Sequence, residues 1–149
     1  MNSNDTEIGK RLIPGERVPL AKGNLTILLD SLSLVEVVLI GHDKEDNVEL
    51  VTAGRATGYT VERDREDVSV TLDLARLNPN ARYILGAYSS QGSMPNLLAT
   101  LSEPRSHIAI ESKGEGAVSL LQVYDHKGEW RLKADSGWFS NGLQGLLTA

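Results

Sequence analysis

The sequence contains no cysteine, which excludes a disulfide scaffold. Long hydrophobic runs are also lacking: the longest, Val37–Ile40, has four residues, whereas a membrane-spanning helix needs about 20. The opening residues, Met1–Glu7, carry neither a cationic start nor an apolar stretch and do not resemble a secretory signal. We therefore expect a cytoplasmic protein with no transmembrane segment.

Basic residues are outnumbered, since 15 Lys and Arg face 20 Asp and Glu, for a formal net charge of −5. Much of the excess lies in Asp43–Asp67, where eight acids stand against four bases. An acidic surface repels phosphate backbones, because nucleic-acid affinity rests largely on counterion release by Lys and Arg. No basic stripe with interleaved aromatics occurs elsewhere, so we expect no nucleic-acid partner.

The hydrophobic pattern that is present has mostly a period of two, which is typical of strands with one buried face. Val68–Leu74 and Leu25–Leu29 alternate apolar with other residues. Within Val118–Val123 the apolar register shifts by one residue, which predicts a β-bulge. Val35–Ile40 and Tyr83–Tyr88 carry apolar residues on both faces and are predicted to be central strands.

Turn residues separate these runs at His42–Asn47, Leu77–Asn80 and Asp125–Gly128, and Gly128 is suited to the positive φ of a short hairpin turn. Asn141–Leu147 has leucines at helical spacing and predicts one short helix. About nine candidate strands at short, regular spacing indicate an all-β fold. We predict a two-sheet antiparallel β-sandwich with a short C-terminal helix, preceded by a flexible N-terminal segment over residues 1–12.

Motifs for catalysis are not prominent. His42, His107 and His126 fall at predicted turns and strand ends without metal-ligand spacing, and we interpret them as exposed turn histidines. Asp135-Ser136-Gly137 resembles the catalytic turn of aspartic proteases, but 12 residues follow Gly137, too few for the rest of a protease lobe. We interpret this tripeptide as a tight turn before the terminal helix and predict no enzymatic activity.

One acidic segment has the alternation of an EF-hand loop. Asp43, Glu45, Asn47 and Glu49 stand at alternate positions, but Val48 occupies the place where the EF-hand requires glycine. We therefore interpret the segment as a solvated hairpin.

The C-terminal part carries a resemblance to a known family. Gly128–Ala134 contains Gly-x-Trp followed by a basic, apolar, basic, Ala pattern, and Phe139 precedes Gly142-Leu143 at a fixed spacing. This run resembles the signature that closes domains of the tellurium-resistance TerD family, which are bacterial stress proteins. Ile13–Leu20 is similar to the opening strand of that family, and Val68–Leu74 to an internal strand. The resemblance implies one TerD-like β-sandwich domain over residues 13–149.

The resemblance also implies where calcium would bind. Calcium-binding members carry an Asp-x-Asp-x-Asp run entering the second strand, but the matching stretch here, Leu32–Glu36, keeps only the carboxylate of Glu36. The second loop of the family corresponds to Asp64, Glu66 and Asp67, which alternate with arginines and lack the usual glycines. Because calcium requires six to eight oxygens, these residues imply a degenerate site with no calcium or only weak calcium as cofactor.

The sequence pattern and the resemblance favour two classes of function over a third. The first is a non-enzymatic stress-response or tellurium-resistance-type domain that binds protein partners or assembles with related domains. The second is a carbohydrate- or small-ligand-binding jelly-roll module whose loop Ser89–Asn96 forms the site. An enzyme, the third class, has no nucleophile or base that stands out.

Overall fold

The computed structural model describes residues 9–20, 23–30, 35–45, 47–51, 54–56, 58–89, 92–103 and 105–148. These residues form thirteen strands and one helix. In chain order they are β1 (Lys10–Arg11), β2 (Arg17–Pro19), β3 (Asn24–Leu29), β4 (Val35–Asp43), β5 (Val48–Val51), β6 (Gly54–Ala56), β7 (Tyr59–Asp64), β8 (Asp67–Asp73), β9 (Ala81–Ser89), β10 (Leu97–Ser102), β11 (Arg105–Ile110), β12 (Ala117–His126), β13 (Glu129–Phe139) and α1 (Leu143–Leu147).

The strands form two sheets that pack face to face. The seven-stranded sheet has the order β1-β11-β10-β3-β8-β7-β6, and the six-stranded sheet has the order β2-β13-β12-β9-β4-β5. All described pairings are antiparallel except that of β1 with β11. The predicted all-β sandwich is confirmed. The count exceeds the expected nine because β1, β2 and β6, with two or three residues each, are too short to show alternation.

Alternation places one side of each strand in a common core. Val68, Val70 and Leu72 of β8 are buried there, as their spacing predicts. The two strands predicted to be central, β4 and β9, are paired with each other and lie inside the six-stranded sheet. Both are apolar on two faces because the sheet is covered twice, by the opposite sheet on one side and by α1 on the other.

The predicted bulge lies where β12 changes register against both of its neighbours. Against β13, Ser119 pairs with Gly137 and Leu121 pairs with Ala134, so two residues of β13 face Leu120 alone. The extra residues accentuate the local twist. The β12–β13 hairpin then closes through a turn in which Lys127 and Gly128 have φ of 54° and 88°, the positive pair that a two-residue hairpin favours.

Helix α1 covers part of the outer face of the six-stranded sheet. Leu146 is fully buried against Val38 and Ile40 of β4 and Ile84 of β9. The helix has only five residues, so this packing, rather than intrinsic helix propensity, must hold it in place. Gly86 makes the approach feasible, because a Cβ at that position would lie 2.4 Å from Cδ2 of Leu146.

The described part of the N-terminal segment joins the sandwich. Lys10 and Arg11 pair with Ser106 and His107 of β11, and Leu12 is buried in the core. Residues 1–8 of the segment predicted to be flexible lie outside the described residues. No helix within the described ranges has the length and apolar character needed to cross a membrane.

Candidate functional site

The residues proposed for calcium lie on two elements. Glu36 stands on β4, and Asp64, Glu66 and Asp67 form the exposed turn of the β7–β8 hairpin. The guanidinium of Arg63 donates a hydrogen bond to the carbonyl oxygen of Val35. The side chain of Arg63 therefore links this hairpin to the start of β4. Among the described residues, no group of three or more His, Asp or Glu is arranged to hold a metal ion. Leu32, Ser33 and Leu34 lie outside the described residues, and the degenerate site stays a prediction.

The EF-hand-like segment is a hairpin turn, as interpreted from the sequence. The carboxylate of Asp43 accepts hydrogen bonds of 2.9 Å from the backbone N–H of Glu45 and from the backbone and side-chain N–H groups of Asn47. The side-chain and backbone hydrogen bonds from Asn47 lower the pKa of Asp43. This carboxylate therefore organises the β4–β5 connection.

Asp135 shows where the sequence interpretation was wrong. Asp135-Ser136-Gly137 was predicted to be a turn before the helix, but all three residues belong to β13. The carboxylate of Asp135 accepts hydrogen bonds from Ser119 Oγ at 2.8 Å and from Gln122 Nε2 at 3.2 Å. It also accepts from the backbone N–H groups of Ser136 at 2.8 Å and Gly137 at 3.2 Å. Asp135 thus fills the bulge and satisfies donors that the interrupted ladder leaves unpaired.

The electrostatics of Asp135 follow from these contacts. Burial favours the neutral acid, but the hydrogen bonds from Ser119, Ser136, Gln122 and Gly137 outweigh it and lower the pKa of Asp135. The group is therefore a carboxylate at neutral pH. Its two oxygens accept hydrogen bonds from four donors. The carboxylate therefore has a structural role in the bulge.

The histidines occupy three different environments. His126 is exposed, as predicted, but it ends β12 and lies beside the turn rather than in it. His42 was also interpreted as an exposed turn histidine, and this is wrong, because it is half-buried in β4, with Nε2 3.3 Å from the carbonyl oxygen of Leu147. His107 was also predicted to be exposed, and this is wrong, because it is buried within β11. Pairing with β1 makes β11 an interior strand, which the two residues of β1 were too few to predict. Nδ1 of His107 has no hydrogen-bond partner in the described part of the chain.

The stretches that carry the family resemblance have structural positions. Leu132 and Ala134 are fully buried in the core, and Trp130 packs against that core. Phe139, at the end of β13, and Leu143, at the start of α1, pack against the cluster on the outer face. Residues 17–19 of the opening stretch pair with residues 131–133. The C-terminal stretch therefore closes the sandwich on both faces of the six-stranded sheet.

A cavity of about 460 Å³ opens between the two sheets at the end that carries the β12–β13 turn. We call it the Trp130 cavity. Its described walls come from β2, from β13 and the turn before it, and from residues that flank β3 and β8. They are Pro19, Leu20, Gly23, Leu74, Ala75, Gly128, Glu129 and Trp130. Its volume falls within the range of sites for small organic ligands.

An aromatic cluster leads inward from this cavity. The rings of Trp130 and Tyr83 are 6.3 Å apart, and those of Tyr83 and Tyr59 are 5.7 Å apart in an edge-to-face arrangement. The hydroxyl of Tyr83 accepts a hydrogen bond of 2.9 Å from the backbone N–H of Asn78. Burial, with the nearby carboxylate of Glu49, raises the pKa of Tyr59. Trp130, which lines the cavity, is therefore in contact with a buried aromatic pair that does not itself line it.

A polar groove of about 410 Å³ lies at the opposite end of the six-stranded sheet. Its described lining combines the loop after β9, the loop before β12 and the segment leading into α1. The residues are Tyr88, Ser89, Gly92, Glu115, Gly116, Ser140, Asn141, Gly142 and Leu143. Ser89 and Gly92 belong to the loop that the sequence nominated for a ligand, although Ser90 and Gln91 lie outside the described residues.

The two sites differ in what the sequence could indicate. The loop after β9 was recognisable by its polar and glycine residues, whereas the Trp130 cavity joins residues separated by more than a hundred positions in the chain. Its sole local signal was an aromatic residue beside a turn. Comparisons of the chain with protein-family models, with curated proteins and with solved structures give no match.

Proposed function

We propose that this chain is a divergent, non-enzymatic domain of the tellurium-resistance TerD type, a cytoplasmic bacterial stress protein that acts by binding protein partners or by assembling with related domains. The observation that carries the proposal is the position of the signature-like residues. Leu132 and Ala134 lie in the core, and Leu143 begins the helix that covers the opposite sheet face. Because these residues close the fold, they support a domain that functions by binding through its surface rather than by catalysis at a reaction centre.

Two carboxylates that the sequence brought into question, Asp135 as a catalytic residue and Asp43 as a cation ligand, support the same proposal. Asp135 accepts four hydrogen bonds from its own bulge, and Asp43 accepts three from its own turn. A general base needs a free lone pair directed toward the substrate. Both groups instead direct their oxygens at the donors that shape the backbone.

Assembly is tested by sedimentation velocity across a wide range of protein concentration. We expect the sedimentation coefficient to rise with concentration, because association follows mass action. A matched series in high salt separates an electrostatic contact from an apolar one. A chain that stays monomeric throughout, and whose melting temperature rises with a sugar, would contradict the assembly proposal and support the ligand-binding alternative below.

Calcium is expected to have little effect on stability. Glu36 and the turn acids Asp64, Glu66 and Asp67 provide too few oxygens for tight binding, and Arg63 and Arg65 lie among them. At about 1 mM calcium, a site of millimolar affinity stabilises the fold by only about 0.4 kcal/mol. Thermal unfolding in EDTA and in calcium should therefore coincide. A rise of more than about 5 °C that Asp67→Asn abolishes would contradict this expectation and place a cation site at the β7–β8 turn.

A carbohydrate- or small-ligand-binding function is the second candidate, and the polar groove at Tyr88 favours it. The groove offers an aromatic ring beside the hydroxyl of Ser140, the amide of Asn141 and the carboxylate of Glu115. An apolar ring face with polar groups around it is the usual composition of a small-molecule site. A rise in melting temperature with a neutral sugar, lost in Tyr88→Ala, would support this candidate.

A further inference from the structure

The Trp130 cavity has a composition that selects a ligand class. Most of its described wall is apolar, formed by Pro19, Leu20, Leu74, Ala75 and Trp130. Such a wall gains free energy by covering an apolar group of a ligand, because both surfaces leave water. The volume of about 460 Å³ is sufficient for a molecule built around one aromatic ring.

Among the described residues that line the cavity, one carries a charge. Glu129 is the sole charged side chain among the described lining residues. It is exposed, and in the described part of the chain its carboxylate has neither an ion pair nor a hydrogen bond. A carboxylate beside apolar walls attracts a cation and repels an anion, and the face of the neighbouring Trp130 also attracts cations. The two residues therefore favour the same sign of ligand charge.

Two glycines line the cavity. Gly128 in the β12–β13 turn and Gly23 before β3 both border it, and apart from chain neighbours no described heavy atom lies within 4 Å of the place where either Cβ would stand. Both have positive φ, of 88° and 117°, a conformation in which glycine is favoured. The backbone at both positions therefore favours the residue that adds no side chain to the lining.

We propose that the Trp130 cavity binds a small organic cation, a primary amine carried by a flat apolar group. The apolar group lies between Leu20, Leu74 and Trp130, and the ammonium group remains at the mouth beside Glu129. Ammonium hydration is retained in part at this exposed rim, so the cost of burying the charge is small. The inference rests on the lining of the cavity and does not depend on the proposed function.

The test compares three ligands that share a phenyl ring and differ in charge: 2-phenylethylamine, 2-phenylethanol and phenylacetate. Binding is followed by nuclear magnetic resonance on the indole N–H signals of the two tryptophans, which Trp130→Phe assigns. We expect the amine to shift the Trp130 signal and to bind about fivefold more tightly than the alcohol, with phenylacetate weaker still. The Trp138 signal is an internal control, because Trp138 lies near Glu115 at the opposite end of the sandwich.

Two variants separate charge selection from cavity filling. Glu129→Gln should bring the affinity for the amine to within about twofold of that for the alcohol, while the matched exposed control Glu62→Gln leaves the preference unchanged. Ala75→Phe places a ring in the cavity from an exposed position and should weaken the amine and the alcohol alike. Equal binding of amine and phenylacetate, a preference that survives Glu129→Gln, or binding that survives Ala75→Phe would each overturn the proposal.

Discussion

Leu146→Ala is expected to lower the free energy of unfolding by about 3 kcal/mol, as for other fully buried leucines. Leu146 is 0% exposed and packs against Val38, Ile40 and Ile84 on the outer face of the six-stranded sheet. Truncation leaves a cavity under a five-residue helix that has no side-chain N-cap, although the hydroxyl of Thr148 donates to the carbonyl oxygens of Gln144 and Gly145 at its C-terminal end. So short a helix depends on packing, and Leu146 is its fully buried leucine. Equilibrium unfolding in urea measures the effect.

Gly86→Ala tests the same contact from the sheet side. Its Cβ would lie 2.4 Å from Cδ2 and 3.1 Å from Cγ of Leu146, so the leucine must move, at a cost of about 1–3 kcal/mol. In the double variant Gly86→Ala/Leu146→Ala the new methyl group occupies space that the leucine vacated. We expect a combined loss smaller than the sum of the single losses by about 1 kcal/mol.

Leu98→Ala is the control for these variants, because Leu98 is 39% exposed on β10 of the other sheet. Its cost should stay near the range for surface substitutions, within about 0.5 kcal/mol. Strict additivity of Gly86→Ala and Leu146→Ala would show that the helix does not rest on β9 through this pair. A Leu146→Ala variant as stable as the parent would show that α1 does not contribute to the fold.

The sandwich was predictable because its strands and turns act locally. Alternation marked β8, and the register shift within Val118–Val123 marked the bulge that β12 shows against both neighbours. Val35–Ile40 was apolar on both faces, which requires two covering layers. The sequence also contained a helix with one apolar stripe at Leu143, Leu146 and Leu147. The apolar stripe of the helix covers the outer face of β4 through a tertiary contact. Periodicity shows that each element has an apolar face, but it does not show which elements pack together.

The functional sites were less predictable for a related reason. The Trp130 cavity is made by sheet packing that brings Leu20, Leu74 and Trp130 to one opening, and no short motif encodes that meeting. Asp135 was misread because Asp, Ser and Gly favour turns, while its partners Ser119 and Gln122 are supplied by β12. Local propensity therefore predicted a turn, whereas the three residues lie at a bulge inside a strand.

Asp135→Asn is expected to lower the free energy of unfolding at pH 7 by about 2–3 kcal/mol. Ser119, Gln122, Ser136 and Gly137 all donate to this side chain. Asparagine has a single acceptor oxygen, and its NH₂ group faces donors, so buried N–H groups lose partners. Asp125→Asn is the matched control, because Asp125 accepts one bond, from the backbone N–H of Gly128, in an exposed turn. It should cost about 1 kcal/mol or less.

The pH dependence of this difference distinguishes a charged bulge from a merely tightly packed one. Because the pKa of Asp135 is lower in the folded chain than in the unfolded chain, ionisation stabilises the fold above the unfolded value of about 3.9. That contribution disappears as the pH falls through the folded pKa. Glu16 and Asp43 also have lowered pKa values, but both are present in the parent and the variant, so their effects cancel in the difference.

The gap in stability between the parent and Asp135→Asn should therefore be widest near neutral pH and narrow progressively below about pH 4. A gap that stays constant down to acid unfolding would mean that the neutral acid serves the bulge as well as the carboxylate does, and that charge has no part in holding β12 against β13.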